Sequence, residues 1–146
     1  VIREATAADV PALVEGYEWL FAAPGRRVAD WDAGTAAERL HALLDSDRGT
    51  VFVADVDGEV QGFITVYLDI LSVRYGQRVW VEDLAVAPDA RSGGLGGALL
   101  DAAKAWAREH GAAHLELDSA FTRVDAHRFY ERTEPSWDAR SFGWVL

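Results

Sequence analysis

The residues Arg91 to Gly97, Arg-Ser-Gly-Gly-Leu-Gly-Gly, separate an apolar strand-like run from a helical pattern. That order suits an anion. The first backbone N–H groups of a helix lack internal partners and lie at the positive end of its dipole, so glycines there let a phosphate approach bare backbone. Just upstream, the run Val79 to Val86 carries two adjacent carboxylates, Glu82 and Asp83. Amides for a phosphate at one end and carboxylates at the other suit a phosphorylated cofactor meeting a cationic substrate. The residues beyond the last glycine narrow the type of phosphate loop. A P-loop places Lys-Ser or Lys-Thr there, where this chain has Ala98-Leu99. A dinucleotide fingerprint laid over Gly94-Leu95-Gly96 finds Glu116 or Asp118 at a suitable distance for a ribose. It fails at Leu99, where a small residue is wanted, and Ala87 to Gly93 is too long for its tight first turn. What remains is Arg-x-x-Gly-x-Gly, formed by Arg91, Gly94 and Gly96.

Composition removes other chemistries. There is no cysteine, so a disulfide framework, a thiolate zinc site and a Cys nucleophile are all excluded, and group transfer is expected to be direct. His110 and His114 are four apart, but Gly111 breaks the helix between them, so no metal site is expected. Fourteen basic against 24 acidic residues give a net charge of −10, which disfavours nucleic acid as partner and favours a cationic small molecule. No apolar run is long enough for a membrane span and no signal-peptide pattern opens the chain, so a cytoplasmic protein without membrane contact is expected. The 146 residues are expected to form one domain, 1–146.

The elements that must position these residues are read from periodicity. Ile2 to Thr6 reads as a strand, and Thr6 or Asp9 caps a first helix whose Val10, Leu13, Val14 and Tyr17 share a face. An aromatic and acidic loop around Trp31 comes next. Thr35-Ala36-Ala37-Glu38 has the form of a capping box for a second helix that Gly49 ends. Val51 to Val56 and Val60 to Val73 are strands joined by the hairpin signal Asp57-Gly58, and the apolar run that starts at Val79 and breaks at Pro88 is the next strand of an antiparallel meander. A crossover helix from about Gly93 to His110 leads to a parallel strand, His114 to Ser119. A helix from Arg123 to Arg132 is capped by Thr122, and Ser141 to Leu146 reads as a last strand. Its Phe142, Trp144 and Val145 are expected to complete the sheet or to pair with a second copy in a homodimer.

Two segments carry a family resemblance. VEDLAVAPDARSGGLGGALL resembles the acetyl-CoA motif of the GNAT superfamily of N-acyltransferases, and DAHRFYER, with Asp125, Ala126, Phe129 and Tyr130, is similar to its Asn-x-x-Ala-x-x-Phe-Tyr-Glu segment. LELDS with DAHRFYER after it also resembles aminoglycoside 6′-N-acetyltransferase-like members. The resemblance implies a mixed α/β (α+β) fold, with a mostly antiparallel central sheet of about six or seven strands flanked by about four helices. It implies acetyl-CoA as cofactor. The backbone of Leu84, Ala85 and Val86 would pair with the pantetheine arm, and the amides of Arg91, Ser92, Gly93, Gly94, Leu95, Gly96 and Gly97 would hold the pyrophosphate. Tyr130 would serve as general acid at the sulfur, Glu82 would assist removal of the amine proton, and Asp125 would contact the cofactor arm. Asp125 stands where the family has Asn, and an ionised carboxylate can only accept. Thr133-Glu134-Pro135 replaces the family's Leu-Gly-Phe.

The chemistry sets demands. An alkylamine with a lysine-like pKa of about 10.4 is free base in only about one molecule in a few thousand near neutrality, so a base or a desolvating acidic pocket is needed, and Glu82 is the expected base. Trp31 and Asp118 are the expected substrate contacts, for a small polycationic amine such as an aminoglycoside or polyamine. A protein lysine or N-terminus is the alternative acceptor, and a non-catalytic acetyl-CoA sensor the alternative of another class.

Overall fold

The computed structural model describes residues 1–146. Five strands form one sheet in the order β1 (Ile2–Glu4), β2 (Gly49–Val56), β3 (Glu59–Ser72), β4 (Gly76–Val86) and β5 (His114–Glu116). Each of the first four runs antiparallel to its neighbour and β5 is parallel to β4. The β2–β3 hairpin turns on Asp57 and Gly58, both at positive φ (55° and 87°), as its two-residue turn requires. The long crossover between β4 and β5 is α4 (Leu95–Glu109); the remaining helices are α1 (Val10–Gly16), the single turn α2 (Glu18–Phe21), α3 (Ala33–Leu44) and α5 (Val124–Arg132).

Alternation along the strands divides the core into two layers. On one face Ile64, Val66, Val79 and Val81 meet Leu99, Leu100, Ala103 and Trp106 of α4. On the other, Val51, Val53 and Phe63 meet Leu13 of α1 and Leu40 and Leu43 of α3. One irregularity decides where the site lies. Ile64 pairs with Leu84 and Val66 with Val81, so Glu82 and Asp83 together oppose the single residue Thr65. This is a β-bulge, and it reverses which face the later residues meet: Val79 and Val81 pack towards α4, whereas Ala85 packs towards α1 and α3.

Several expectations are corrected. The sheet has five strands rather than six or seven, because Ser141 to Leu146 forms none. β5 stops at Glu116 instead of Ser119, which leaves only a short edge to pair with, and Glu134 at φ 55° with Pro135 after it turns the chain away. Phe142, Trp144 and Val145 are consequently exposed. α3 is capped by Asp32, not Thr35: the Asp32 carboxylate accepts from both the backbone N–H and the hydroxyl of Thr35, each at 2.8 Å, so the helix starts earlier. α3 ends at Leu44, and Gly49 instead opens β2, where an added Cβ would press on Leu43 and the Val66 carbonyl. Arg123, rather than Thr122, precedes α5 and makes no side-chain cap. The first helix resolves both candidates: Asp9 accepts from the backbone and hydroxyl of Thr6 at 2.7 and 3.1 Å, while Pro11 sits in the first turn of α1.

Candidate active site at the end of the fourth strand

β4 has two differently furnished halves. From Arg78 to Trp80 it is paired on both sides, with β3 and with His114–Glu116 of β5. Arg78 is held there by Asp69 and Glu116, and His114 Nε2 lies 3.1 Å from Glu116. Beyond Val81 the two parallel strands part. Leu84, Ala85 and Val86 keep Ile64, Phe63 and Gly62 of β3 on one side and have no strand on the other. That free edge presents backbone groups along an open cleft.

The cleft leads to the glycine loop. The first intrahelical bond of α4 runs from the Ala98 N–H to the Gly94 carbonyl at 3.1 Å, and the N–H groups of Ser92 to Gly97 make no hydrogen bond within the protein. Gly94 adopts φ 83° and Ser92 φ 68°, so the loop passes through left-handed backbone before the helix starts. A Cβ at Gly94 or Gly97 would meet nothing within 4 Å, while one at Gly96 would touch the Phe129 ring at 3.5 Å. Gly94 and Gly97 thus leave room for a bound group, and Gly96 faces the Phe129 ring of α5. Arg91 does not reach across the loop; its Nε donates to the Val86 carbonyl at 3.2 Å.

At the other end of the cleft is a cavity of about 310 Å³. The junction of α1 and α2 contributes Tyr17 and α2 contributes Phe21, which pack on Trp31 tilted and edge-on, at 5.2 and 4.8 Å between ring centres. The bulge contributes Glu82 and Asp83, the segment after β5 contributes Asp118 and Ser119, and α5 contributes Tyr130. Arg123 closes one corner by donating to the Leu20 carbonyl at 3.1 Å. Gly25 makes this junction fit, since an added Cβ would collide with that carbonyl and with the Arg123 guanidinium.

The two carboxylates of the bulge differ sharply. Glu82 is exposed at the rim and accepts from the Trp80 indole N–H at 2.6 Å. Asp83 is partly buried and accepts from the Tyr17 hydroxyl at 2.7 Å. The bulge leaves the Asp83 N–H without a ladder partner, and the Thr65 hydroxyl accepts it at 3.0 Å while donating to the Asp83 carboxylate at 3.4 Å. This explains a fully buried threonine (0 % exposed) in an otherwise apolar strand centre. Burial, and secondarily the neighbouring Glu82 charge, raise the Asp83 carboxyl above the usual range against the opposing pull of Tyr17 and Thr65. The Tyr17 hydroxyl is raised by burial and by Asp83, so it stays a donor.

Tyr130 lines the same cavity, and burial, opposed by the Arg123 charge, pushes its hydroxyl up to about 12. Trp31 and Asp118 both reach the cavity, Asp118 as an exposed residue that also accepts from the Ser141 hydroxyl at 3.0 Å. Asp125 is not brought in: its side chain is 98 % exposed on the first turn of α5 and accepts from Arg128 at 3.2 Å. Tyr17, Thr65 and Arg123 are site residues that sequence reasoning misses. Tyr17 shares its helical spacing with core residues, Thr65 is a β-former in a strand, and only the fold, across 66 residues, brings Tyr17 to Asp83.

A strand that parts from its parallel neighbour and walls a cavity, followed by a helix N-terminus with free amides, is an arrangement suited to group transfer from a phosphorylated carrier. The sequence pattern of the Acetyltransferase (GNAT) family matches residues 13–133, and the chain belongs to that family. It is 32 % identical over 134 residues to the uncharacterized N-acetyltransferase YhfO of Bacillus subtilis (strain 168), covering 90 % of this chain and 86 % of that protein. It is 35 % identical over 131 residues to the aminoglycoside N(6′)-acetyltransferase type 1 of Stenotrophomonas maltophilia, covering 86 % and 79 %. Among solved structures, AAC(6′)-Iy in complex with the bisubstrate analog CoA-S-monomethyl-acetylneamine superposes with a TM-score of 0.85 over 100 % of this chain and 97 % of that one. At 17 % identity that likeness establishes the fold. The protein is a GNAT N-acetyltransferase.

Proposed function

We propose that the chain moves acetyl directly from acetyl-CoA to a primary amine of a small polycationic molecule such as an aminoglycoside or a polyamine. The observation that carries this reading is the cavity at the bulged end of β4, walled by aromatic rings and carboxylates, on a strand that runs on to the free amides before α4. Its volume suits a small molecule, and the carboxylates of Glu82, Asp83 and Asp118 outnumber the guanidiniums of Arg26 and Arg123. A protein segment as acceptor wants an open groove instead. The relative from Stenotrophomonas maltophilia and the neamine-derived analog in AAC(6′)-Iy support the same substrate class.

In this reading the amides of Ser92 to Gly97 hold the pyrophosphate, and the free edge at Leu84 to Val86 pairs with the pantetheine arm as an added strand would. Arg91 is placed to shift from the Val86 carbonyl to the cofactor. The carboxylate pair Glu82 and Asp83 meets the ammonium and receives its proton. The free amine then attacks the thioester carbonyl carbon, the C–N bond forms, the C–S bond breaks, and the second amine proton passes to the departing thiolate.

Tyr130 assists that departure by hydrogen bonding. A tyrosine at about 12 facing a thiol of about 8.5 makes full proton transfer uphill by about 5 kcal/mol, so the hydroxyl donates to the thiolate without giving up its proton. The deciding experiment is acetyl-CoA turnover against a panel of spermidine, neamine, sisomicin and lysine peptides, with product masses. Acetylation of the small amines in preference to the peptides supports the reading. Acetylation of peptides alone moves the acceptor to protein, and acetyl-CoA binding without turnover of any amine points to a sensor.

A further inference from the structure

We propose that Asp83, and not its neighbour Glu82, is the group that takes the proton from the acceptor amine, with Tyr17 and Thr65 as its positioning residues and Glu82 as the exit to solvent. The inference rests on the amine-acetylating reading above.

Its ground is geometric. Both carboxylates line the cavity, but only Asp83 is fixed from two elements. One oxygen, Oδ2, receives the Tyr17 hydroxyl from the junction of α1 and α2 at 2.7 Å and the Thr65 hydroxyl from β3 at 3.4 Å, and the residue's own N–H is tied to Thr65 at 3.0 Å. The other oxygen, Oδ1, has no partner in the protein, leaving its lone pairs for an incoming ammonium. Glu82, by contrast, is exposed, and its Oε2 is occupied by Trp80. It also lines the open groove of Tyr67, Leu68, Asp69 and Trp80 on the far side of the bulge, so it connects the cavity to bulk water.

The proton path then has an order. An ammonium donates to Asp83 Oδ1 and becomes a neutral amine, which attacks the thioester; the protonated Asp83 passes its proton to Glu82 and thence to water. Burial serves this step, because a carboxyl raised above the ordinary range is a stronger base than an exposed one. The charged and titratable groups facing Asp83 are Tyr17 from α1 and α2, Tyr67 from β3, Glu82 beside it, and Arg123 before α5. Arg26, Asp118 and Tyr130 complete the charged and titratable groups of the cavity wall.

The pH effect has a definite sign. The base acts only when ionised, so the rate falls on the acid side as pH drops through the pKa of Asp83. Tyr17 stabilises the charged form by donating to it, so Tyr17→Phe moves that acid limb to higher pH while the plateau above it changes little. A role for Tyr17 in stability alone would lower the plateau and leave the limb in place.

The test uses the full chain with acetyl-CoA and spermidine or neamine. Asp83→Asn should lower kcat at least about 100-fold with the KM for acetyl-CoA unchanged, and Glu82→Gln less than about 10-fold. Thermal stabilisation by acetyl-CoA confirms that each variant is folded. The inference is overturned if Asp83→Asn keeps more than a tenth of kcat, or if Glu82→Gln carries the larger loss. Should the wild type acetylate neither amine, the substrate reading fails on its own, and carboxyl-carbon NMR titration of the free protein decides the inference. Asp83 titrating above the ordinary carboxylate range, and higher still in Tyr17→Phe, supports it; Asp83 titrating within or below that range overturns it.

Discussion

The two halves of β4 show what a strand does when it is closed on both sides and what it does when one side opens. From Arg78 to Trp80, β3 and β5 satisfy both edges and the polar side chains pair with one another, Arg78 with Asp69 and Glu116, His114 with Glu116. From Val81 to Val86 the same strand is bulged, its outer edge is free and its carboxylates face a cavity. Within one strand, the first half is built for stability and the second keeps unspent hydrogen-bonding capacity. The bulge opposite Thr65 is the hinge between them, since one extra residue turns Glu82 and Asp83 towards the cavity and restores the buried pattern at Ala85.

Substitutions sharpen or break this contrast. After Asp83→Asn, the largest effect is expected at Tyr130→Phe, which removes the proposed donor to the leaving thiolate and should lower kcat about 100-fold with little change in melting temperature, as steady-state kinetics and thermal unfolding will show. Thr65→Val comes next. It leaves the Asp83 N–H without an acceptor at the bulge and should cost about 1–3 kcal/mol of stability in urea unfolding, together with a loss of kcat because Asp83 loses its anchor.

Gly97→Leu should weaken acetyl-CoA binding about tenfold in calorimetry. Because a Cβ there meets nothing in the protein and leucine is the better helix former, the free protein should be equally stable or slightly more so. A fall in the stability of the free protein would mean that the glycine serves the fold. The smallest catalytic effect is expected in the closed half: Arg78→Met should cost about 1 kcal/mol of stability and leave kcat within about twofold. A large loss of kcat there would erase the division of the strand.

The sequence made one side of the site readable and hid the other. The glycine loop announces itself because its function depends on local backbone: Gly94 needs a positive φ, and the free amides are contiguous in the chain. The hairpin at Asp57-Gly58 is legible for the same reason, its turn being fixed by two adjacent residues. Glu82 and Asp83 are visible as a pair, but nothing in two adjacent acids tells which is exposed; that depends on Tyr17, 66 positions away, and on a bulge that periodicity does not reveal. The capping box at Thr35 fails because a carboxylate three residues earlier competes for the same donors and wins. The last strand fails because apolar alternation is necessary but not sufficient: Phe142, Trp144 and Val145 have the composition of a strand and no edge long enough to receive them. Asp125 matches a motif, yet its carboxylate turns to Arg128 and solvent.

The cofactor is expected in the open half of β4 and at the helix N-terminus beyond it. A crystal structure with bound CoA tests this most directly. The account predicts pyrophosphate oxygens within hydrogen-bonding distance of amides between Ser92 and Gly97, the pantetheine arm paired with the free edge at Leu84 to Val86, and the sulfur near Tyr130. CoA bound outside this cleft, or a sulfur remote from Tyr130 and from the cavity holding Asp83, would contradict it.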